Sequence, residues 1–158
     1  MQSYPAKINW RRGDAVFTGN AYSRAHSWRF DGGLDVPASA SPQNVGAPWA
    51  VAENIDPEEA LTAAASSSHM MWFLYLASLA GFIVDSYSDD AEGVSDKNTA
   101  GFDWMPHITL RPDVAFSGGM QPTAADVDAL HHKAHEACHI ANSLRTQIVT
   151  HGKFSFER

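Results

Sequence analysis

The feature that most constrains this chain is the stretch Ala60–Val84, in which no side chain carries a permanent charge. Just before it, Asp56 is placed to cap a helix, Pro57 suits the first helical position, and Glu59 completes a capping box. Gly81 is placed to end the helix. Because a helix that is apolar nearly all round is typical of a protein interior, the sequence predicts a long, buried central helix.

Alternation of apolar residues near the start of the chain predicts strands separated by short turns. Residues 34–50 are rich in Pro, Ser, Ala and Gly and predict a loop, and a loop of that length in a compact domain is often functional. We therefore expect a β-meander within the first thirty residues. Its apolar positions are Ile8, Trp10, Val16, Trp28 and Phe30.

After the central helix, the pattern predicts further strands and a second helix. Thr123 is placed to cap that helix, with Asp126 at the capping-box position, and the helix is expected to end near Leu144. The order of elements predicts a single α+β domain over residues 1–158, with two long helices against a mainly antiparallel sheet. The other expected segments are a strand over 82–87, a polar surface loop over 89–100, one or two strands over 102–116 broken near Pro106 and Pro112, and a closing strand over 146–156.

Composition excludes several classes of function. Eighteen acidic residues against eleven basic ones give a net charge of -7, which opposes binding to nucleic acid. Cys138 is the single cysteine, so no disulfide can form within the chain. The most apolar stretch, Met70–Val84, is too short to cross a bilayer, and Met1–Trp10 does not have the pattern of a signal peptide. We expect a cytoplasmic protein that does not bind membranes.

Histidines on the second helix suggest one further kind of site. His131, His135, Cys138 and His139 fall at spacings that place them on one face of a continuous helix, and such spacings can hold a metal ion. The alternative is that this face packs against the central helix or a partner subunit.

Aromatic residues could line an apolar pocket for a hydrophobic ligand. Trp72 lies on the predicted central helix, and Trp49 lies beside Pro48 in the predicted loop, where it could act as a lid. The alternative for both tryptophans is ordinary core or interface packing.

Three stretches together resemble the OsmC/Ohr family of thiol-dependent organic hydroperoxide reductases, which act in the response to oxidative stress. DPEEALTAAASSSHMMWFLYLASLAGF (56–82) resembles the central helix that carries the family's peroxide-reacting cysteine. LHHKAHEACHIANSL (130–144) resembles the helix with the resolving cysteine, and YSRAHSWRFDGGLDVPASASP (22–42) resembles the N-terminal sheet and loop. The resemblance implies an OsmC-like α+β fold and an intertwined homodimer with active sites at its interface.

The resemblance also implies site residues. Ser68, ten residues after Glu58, takes the position of the peroxide-reacting cysteine, and Cys138 takes that of the resolving cysteine. The family places an arginine from the N-terminal sheet beside the reactive cysteine. Arg11 and Arg12 are our first candidates for it, with Arg24 and Arg29 as further candidates, and Glu58 would fix its guanidinium. From the residues alone, the favoured interpretation of Glu58 is a first-turn partner of the helix dipole.

Two other features of the central helix bear on this site. Ten helical residues rise roughly 15 Å, so Glu58 and Ser68 can serve one site only if the helix breaks or if two subunits contribute. His69 follows Ser68 and could face the same pocket as a base. The alternative is a histidine in the core with a satisfied hydrogen bond.

The serine at position 68 changes the expected chemistry. A thiolate attacks the peroxide O–O bond and becomes a sulfenic acid, with which a second thiol condenses to a disulfide. A serine hydroxyl stays protonated near neutral pH and has no counterpart to these steps. We therefore expect a protein without a cofactor that is weak or inactive in the two-cysteine cycle and keeps a pocket for a hydrophobic small molecule or organic hydroperoxide. The alternatives are a one-cysteine peroxidase using Cys138 and an external thiol reductant, and metal chemistry on the His131, His135 and His139 face.

Overall fold

The computed structural model describes residues 1–157, and the chain forms two compact units, Met1–Ala60 and Leu61–Arg158. In the first unit, three strands form an antiparallel sheet in the order β1-β2-β3. Only two strands of this sheet lie within the first thirty residues, where the meander was predicted; the third lies beyond them, and Val16 makes only an isolated bridge with Ala21. The strands are β1 (Ala6–Asn9), β2 (His26–Phe30) and β3 (Asp35–Ala38).

The third strand corrects the prediction of a loop over residues 34–50. β3 contains Pro37, which pairs with Ser27 of β2. Proline is tolerated here because β3 lies at the edge of the sheet, where one side of the strand needs no donor. Because an edge strand tolerates proline, the composition of β3 resembles that of a loop.

The central helix α1 spans Pro57–Leu79 and begins and ends as the sequence predicts. The Glu59 N–H donates to Asp56 Oδ1 at 2.8 Å, and the Asp56 N–H donates to Glu59 Oε2 at 3.3 Å, which together make the capping box. Gly81 adopts a φ of +85° just beyond the helix, the left-handed conformation that ends many helices.

The prediction that α1 is buried on all sides is wrong for the single chain. One stripe of the helix, repeating every four residues, is buried, while the opposite apolar face is exposed. The side chains of Met71, Tyr75 and Leu79 on that face are 60%, 55% and 68% exposed. The buried stripe consists of Ala65, His69, Phe73 and Ala77.

Two three-stranded sheets pack against the buried stripe, in the orders β4-β7-β9 and β5-β6-β8. Each contains one antiparallel pair and one parallel pair, so that, together with the antiparallel sheet of the first unit, the described strand pairs are mainly antiparallel, as predicted. The α+β class is confirmed. The strands are β4 (Ile83–Asp89), β5 (Glu92–Lys97), β6 (Asp103–Leu110), β7 (Pro112–Ser117), β8 (Gln147–Thr150) and β9 (Lys153–Phe156).

Three strand predictions need correction. β5 lies within the predicted polar loop 89–100, and it is polar because it is an exposed edge strand. Pro106 lies inside β6, so the only break within residues 102–116 is at Arg111. The predicted closing strand is two strands, which are parallel to β6 and β7 and separated by His151 and Gly152.

The second helix is shorter than predicted. Its N-terminal capping box is confirmed, because the Asp126 N–H donates to Thr123 Oγ1 at 3.2 Å. However, α2 spans Ala124–Ala137, and a separate short helix, α3, spans His139–Ser143. Cys138 lies between them with a φ of −66° and a ψ of 114°, values of an extended backbone.

None of the helices in residues 1–157 is long and apolar enough to cross a membrane.

Candidate functional site

Ser68 and Cys138 face each other in the second unit. Ser68 lies in the middle of α1, and Cys138 lies at the break between α2 and α3. The Cys138 thiol donates to Ser68 Oγ over a distance of 3.2 Å, and the cysteine is only 1% exposed. The structure therefore brings together the two residues that were predicted to occupy the positions of the reacting and resolving cysteines.

The helix break holds the thiol in place. Cys138 Sγ accepts the Ala141 N–H at 3.4 Å and so caps the first turn of α3. The Asn142 side-chain amide donates to the Glu136 and Cys138 carbonyl oxygens at 2.8 and 3.0 Å. Because these contacts join the end of α2 to α3 across the break, the turn at Cys138 is well defined.

An apolar pocket of about 420 Å³ opens beside Ser68. The Trp72 ring meets the Tyr75 and His139 rings edge-on, with centroids 5.9 and 6.0 Å away. Such edge-to-face packing fixes the orientation of the indole in the wall. Trp72 thus lines this pocket, and its role in binding a ligand stays a prediction. The lining residues are Ser68, Met71, Trp72, Tyr75 and His139.

His69 does not line this pocket. As the next residue of the helix it points about 100° away from Ser68, and it belongs to the buried stripe with 1% exposure. Its Nε2 lies 3.0 Å from His131 Nδ1, and the two rings are stacked at an interplanar angle of 12°. The prediction that His69 faces the pocket is therefore corrected, and its alternative, a core histidine with a hydrogen bond, describes the structure.

The buried histidine pair is electrically neutral at pH 7. Burial, with the neighbouring His131 and His135, lowers the pKa of His69 to about 4. Burial also lowers the pKa of His131, against the opposing effect of Asp128 and Asp89. Two neutral imidazoles share one hydrogen across the 3.0 Å contact. His69 Nδ1 and His131 Nε2 have no hydrogen-bond partner among residues 1–157.

The predicted metal face on the second helix does not exist as one surface. Because the helix ends at Ala137, His139 lies on α3 and lines the pocket beside Ser68. His131 and His135 instead line a separate cavity of about 380 Å³ beside β8. Within the described part of the chain, no group of three or more His, Cys, Asp or Glu side chains could hold a metal ion.

The two arginines predicted for the site lie in the first unit, just beyond β1. Both are exposed, and the Arg12 guanidinium donates to the Ala15 carbonyl oxygen at 3.1 Å. The two further candidates, Arg24 before β2 and Arg29 within it, also make contacts within the first unit, and Arg29 pairs with Asp35 at 3.2 Å. Arg24 lies 3.9 Å above the Tyr22 ring.

Glu58 and Trp49 also belong to the first unit. Glu58 lies in the first turn of α1 and accepts a hydrogen bond from the Asn44 side-chain amide at 3.4 Å. Trp49 follows the cis Ala47–Pro48 peptide, and its carbonyl oxygen accepts the Arg24 N–H at 2.7 Å. The roles predicted for the arginines, Glu58 and Trp49 stay predictions.

The fold, in which the helices pack on antiparallel and mixed sheets, defines a class of α+β proteins. Residues 51–151 match the family model described as OsmC-like protein, which covers more than half of the chain. The chain belongs to the OsmC-like protein family. No curated protein shows significant similarity to it.

Solved structures agree with this assignment. An OsmC-like protein of unknown function from Vibrio cholerae O1 biovar eltor str. N16961 is 47% identical, with a TM-score of 0.93 over 97% of this chain and 100% of that one. An organic hydroperoxide resistance protein from Elizabethkingia anophelis is 17% identical, with a TM-score of 0.70 over 99% and 98% of the chains. A Legionella pneumophila protein described as an organic hydroperoxide resistance protein OsmC is also 17% identical, with a TM-score of 0.69 over 98% of each chain. The latter two share the fold.

Proposed function

We propose that this OsmC-like protein binds a hydrophobic small molecule, organic hydroperoxides included, and is weak or inactive in the two-cysteine peroxidase cycle. The observation that carries this proposal is the 3.2 Å contact between the Cys138 thiol and the Ser68 hydroxyl. Structural neighbours named organic hydroperoxide resistance proteins support the class of ligand. The apolar pocket beside Ser68 supports binding of such a molecule.

The inactivity follows from the chemistry of oxygen and sulfur. The cycle needs one sulfur to accept the peroxide oxygen and a second to displace it as water while a disulfide forms. In this chain the atom that faces Cys138 Sγ is a hydroxyl oxygen, which cannot complete that exchange. The chain therefore has no internal route back to a reduced state.

The one-cysteine alternative receives less support from the structure. Cys138 is 1% exposed, and its sulfur is engaged by Ser68 and by the Ala141 N–H. A thiol that reacts directly with peroxide and external reductant needs access to both. We propose that this thiol serves mainly to pack and to hydrogen bond.

A hydroperoxide consumption assay tests the proposal. With cumene hydroperoxide and a dithiol reductant, we expect the wild-type rate to lie near that of the reductant alone. Cys138→Ala should leave that rate unchanged, because no thiol turnover is lost. Appreciable wild-type turnover that disappears in Cys138→Ala would instead establish the one-cysteine enzyme.

We also propose a homodimer that covers the exposed apolar face of α1. Met71, Tyr75 and Leu79 form that face, and contiguous exposed apolar residues of this kind commonly mark protein interfaces. Met71 and Tyr75 also line the pocket, so a partner subunit on this face would enclose the ligand. Cytoplasmic location stays a prediction, which the single free thiol supports.

Leu79→Glu should weaken the proposed dimer. Because the substitution places a carboxylate within an apolar interface, we expect the sedimentation coefficient to fall from a dimer value to a monomer value. Lys133→Glu, on the exposed surface of α2, is the control and should leave the dimer intact. A wild-type protein that sediments as a monomer at micromolar concentration would contradict the proposal.

A further inference from the structure

The hydroxyl of Ser68 has a hydrogen to donate. Its oxygen accepts the Cys138 thiol, but its own hydrogen has no acceptor among residues 1–157. A serine inside a helix ordinarily donates to a carbonyl of the preceding turn, as Ser67 does to the Ala64 oxygen at 3.4 Å. Ser68 makes no such bond and lines the pocket, so its hydroxyl can donate to a bound molecule.

The other polar groups of the pocket can also donate. His139 presents its imidazole beside Trp72 and carries at least one N–H in either protonation state. Tyr75 is exposed at the rim and bears a hydroxyl. The lining contains no carboxylate and no side-chain amide, so its only side chain that accepts without being able to donate is the weakly accepting Met71 thioether. The remaining walls, from Met71 and Trp72, are apolar.

Building on the proposed binding function, we infer that the pocket takes a small organic carboxylate with an apolar or aromatic body. An ionised carboxylate is a pure acceptor, so it complements a pocket whose polar side chains can all donate. It would accept from the Ser68 hydroxyl and the His139 ring, and its body would pack on Met71 and Trp72. Hydrogen bonds to a charged acceptor are roughly twice as strong as neutral ones, which favours the acid over an alcohol of the same shape.

A matched pair of probes separates the anchor from the apolar body. We would measure binding of 4-phenylbutyrate and of 4-phenylbutanol by isothermal titration calorimetry. The wild type should bind the acid more tightly than the alcohol. Ser68→Ala should lower the affinity for the acid by about tenfold or more, as expected for loss of a hydrogen bond to a charged group. It should change the affinity for the alcohol little. Ser67→Ala, one residue away on the exposed side of the helix, is the control and should change neither.

His139 gives a second test that does not disturb the contact with Cys138. Because His139 is exposed, its substitution should be tolerated by the fold. His139→Leu should lower the affinity for the acid several-fold. His139→Gln keeps N–H donors and should retain most of that affinity. Both variants should bind the alcohol like the wild type.

The outcomes distinguish the inference from the function on which it rests. If acid and alcohol bind equally well, and Ser68→Ala and His139→Leu weaken neither, the carboxylate anchor is refuted while the apolar binding pocket stands. If neither probe binds the wild type, the proposed binding of hydrophobic molecules is refuted together with the inference. Selective loss of the acid in both variants would support the anchor.

Discussion

Ser68→Cys is expected to yield a protein that closes a disulfide with Cys138 under mild oxidation. The oxygen and sulfur atoms are already 3.2 Å apart, and a disulfide bond needs an S–S distance of about 2.05 Å. The bond would link residues 70 positions apart in the chain. For a loop of that length, the chain-entropy model gives about 4 kcal/mol of stabilisation. The thermal midpoint, measured with and without reductant, should therefore differ by about 10 °C.

Ser67→Cys is the matched control for that experiment. It places a thiol on the exposed side of the same helix, so it should form no internal disulfide and show no reductant-dependent midpoint. Turnover of an organic hydroperoxide should rise sharply in Ser68→Cys but not in Ser67→Cys. It should be lost again when Cys138→Ala is combined with Ser68→Cys. A Ser68→Cys protein with neither disulfide nor turnover would mean that position 68 is not the equivalent of the family's reacting cysteine.

Acidification is expected to destabilise the protein through the buried histidine pair. In the unfolded chain His69 titrates near its ordinary pKa of 6.5, whereas in the fold its pKa is about 4. Between those values the unfolded state binds more protons, so the free energy of unfolding falls as pH falls. The stabilisation is complete above about pH 6.5 and is lost near pH 4. The loss from His69 alone is about 3 kcal/mol, and the lowered pKa of His131 adds to it in the same direction.

Denaturant unfolding at a series of pH values between about 7 and 4 measures this loss. His69→Phe keeps a planar ring beside Phe73 and His131 but removes one titrating group, so the decline of the unfolding free energy should become shallower. His132→Ala removes an imidazole whose side chain is 74% exposed and should leave the decline unchanged. A wild-type curve that is flat across this window would contradict the assignment of a neutral buried pair.

The helix starts could be predicted because their signals are local. Asp56 with Glu59 and Thr123 with Asp126 each form their hydrogen bonds within three residues. The break at Cys138 could not be predicted in this way, since no proline or glycine marks it. It is stabilised by Asn142, whose side-chain amide reaches two carbonyl oxygens upstream.

Burial and strand pairing depend on contacts that the local pattern does not contain. The absence of charge on α1 beyond its first turn indicated an apolar helix but did not show which face its own chain covers. The chain passes from β8, which is parallel to β6, to β9, which is parallel to β7, through Gly152. A Cβ atom at Gly152 would lie 2.8 Å from His131 Nε2. That requirement comes from a residue on another element, so the sequence around Gly152 does not reveal it.

The candidate site was predictable in part. The pairing of Ser68 with Cys138 came from the family resemblance, because 70 residues separate them and spacing alone could not connect them. The contact between His69 and His131 was missed. The sequence does contain a signal for this contact, because each histidine lies at helical spacing from a buried apolar residue. That residue is Phe73 for His69 and Ala134 for His131.

The position of Cys138 gives its sulfur a use that requires no electron transfer. The same residue ends α2 and starts α3. Its side chain accepts the Ala141 N–H, which lies in the first turn of the short helix and has no partner within it. Truncation of this side chain would remove an N-cap whether or not the thiol takes part in turnover. A cysteine at this joint has a structural use, so its presence in this chain is not by itself a sign of redox activity.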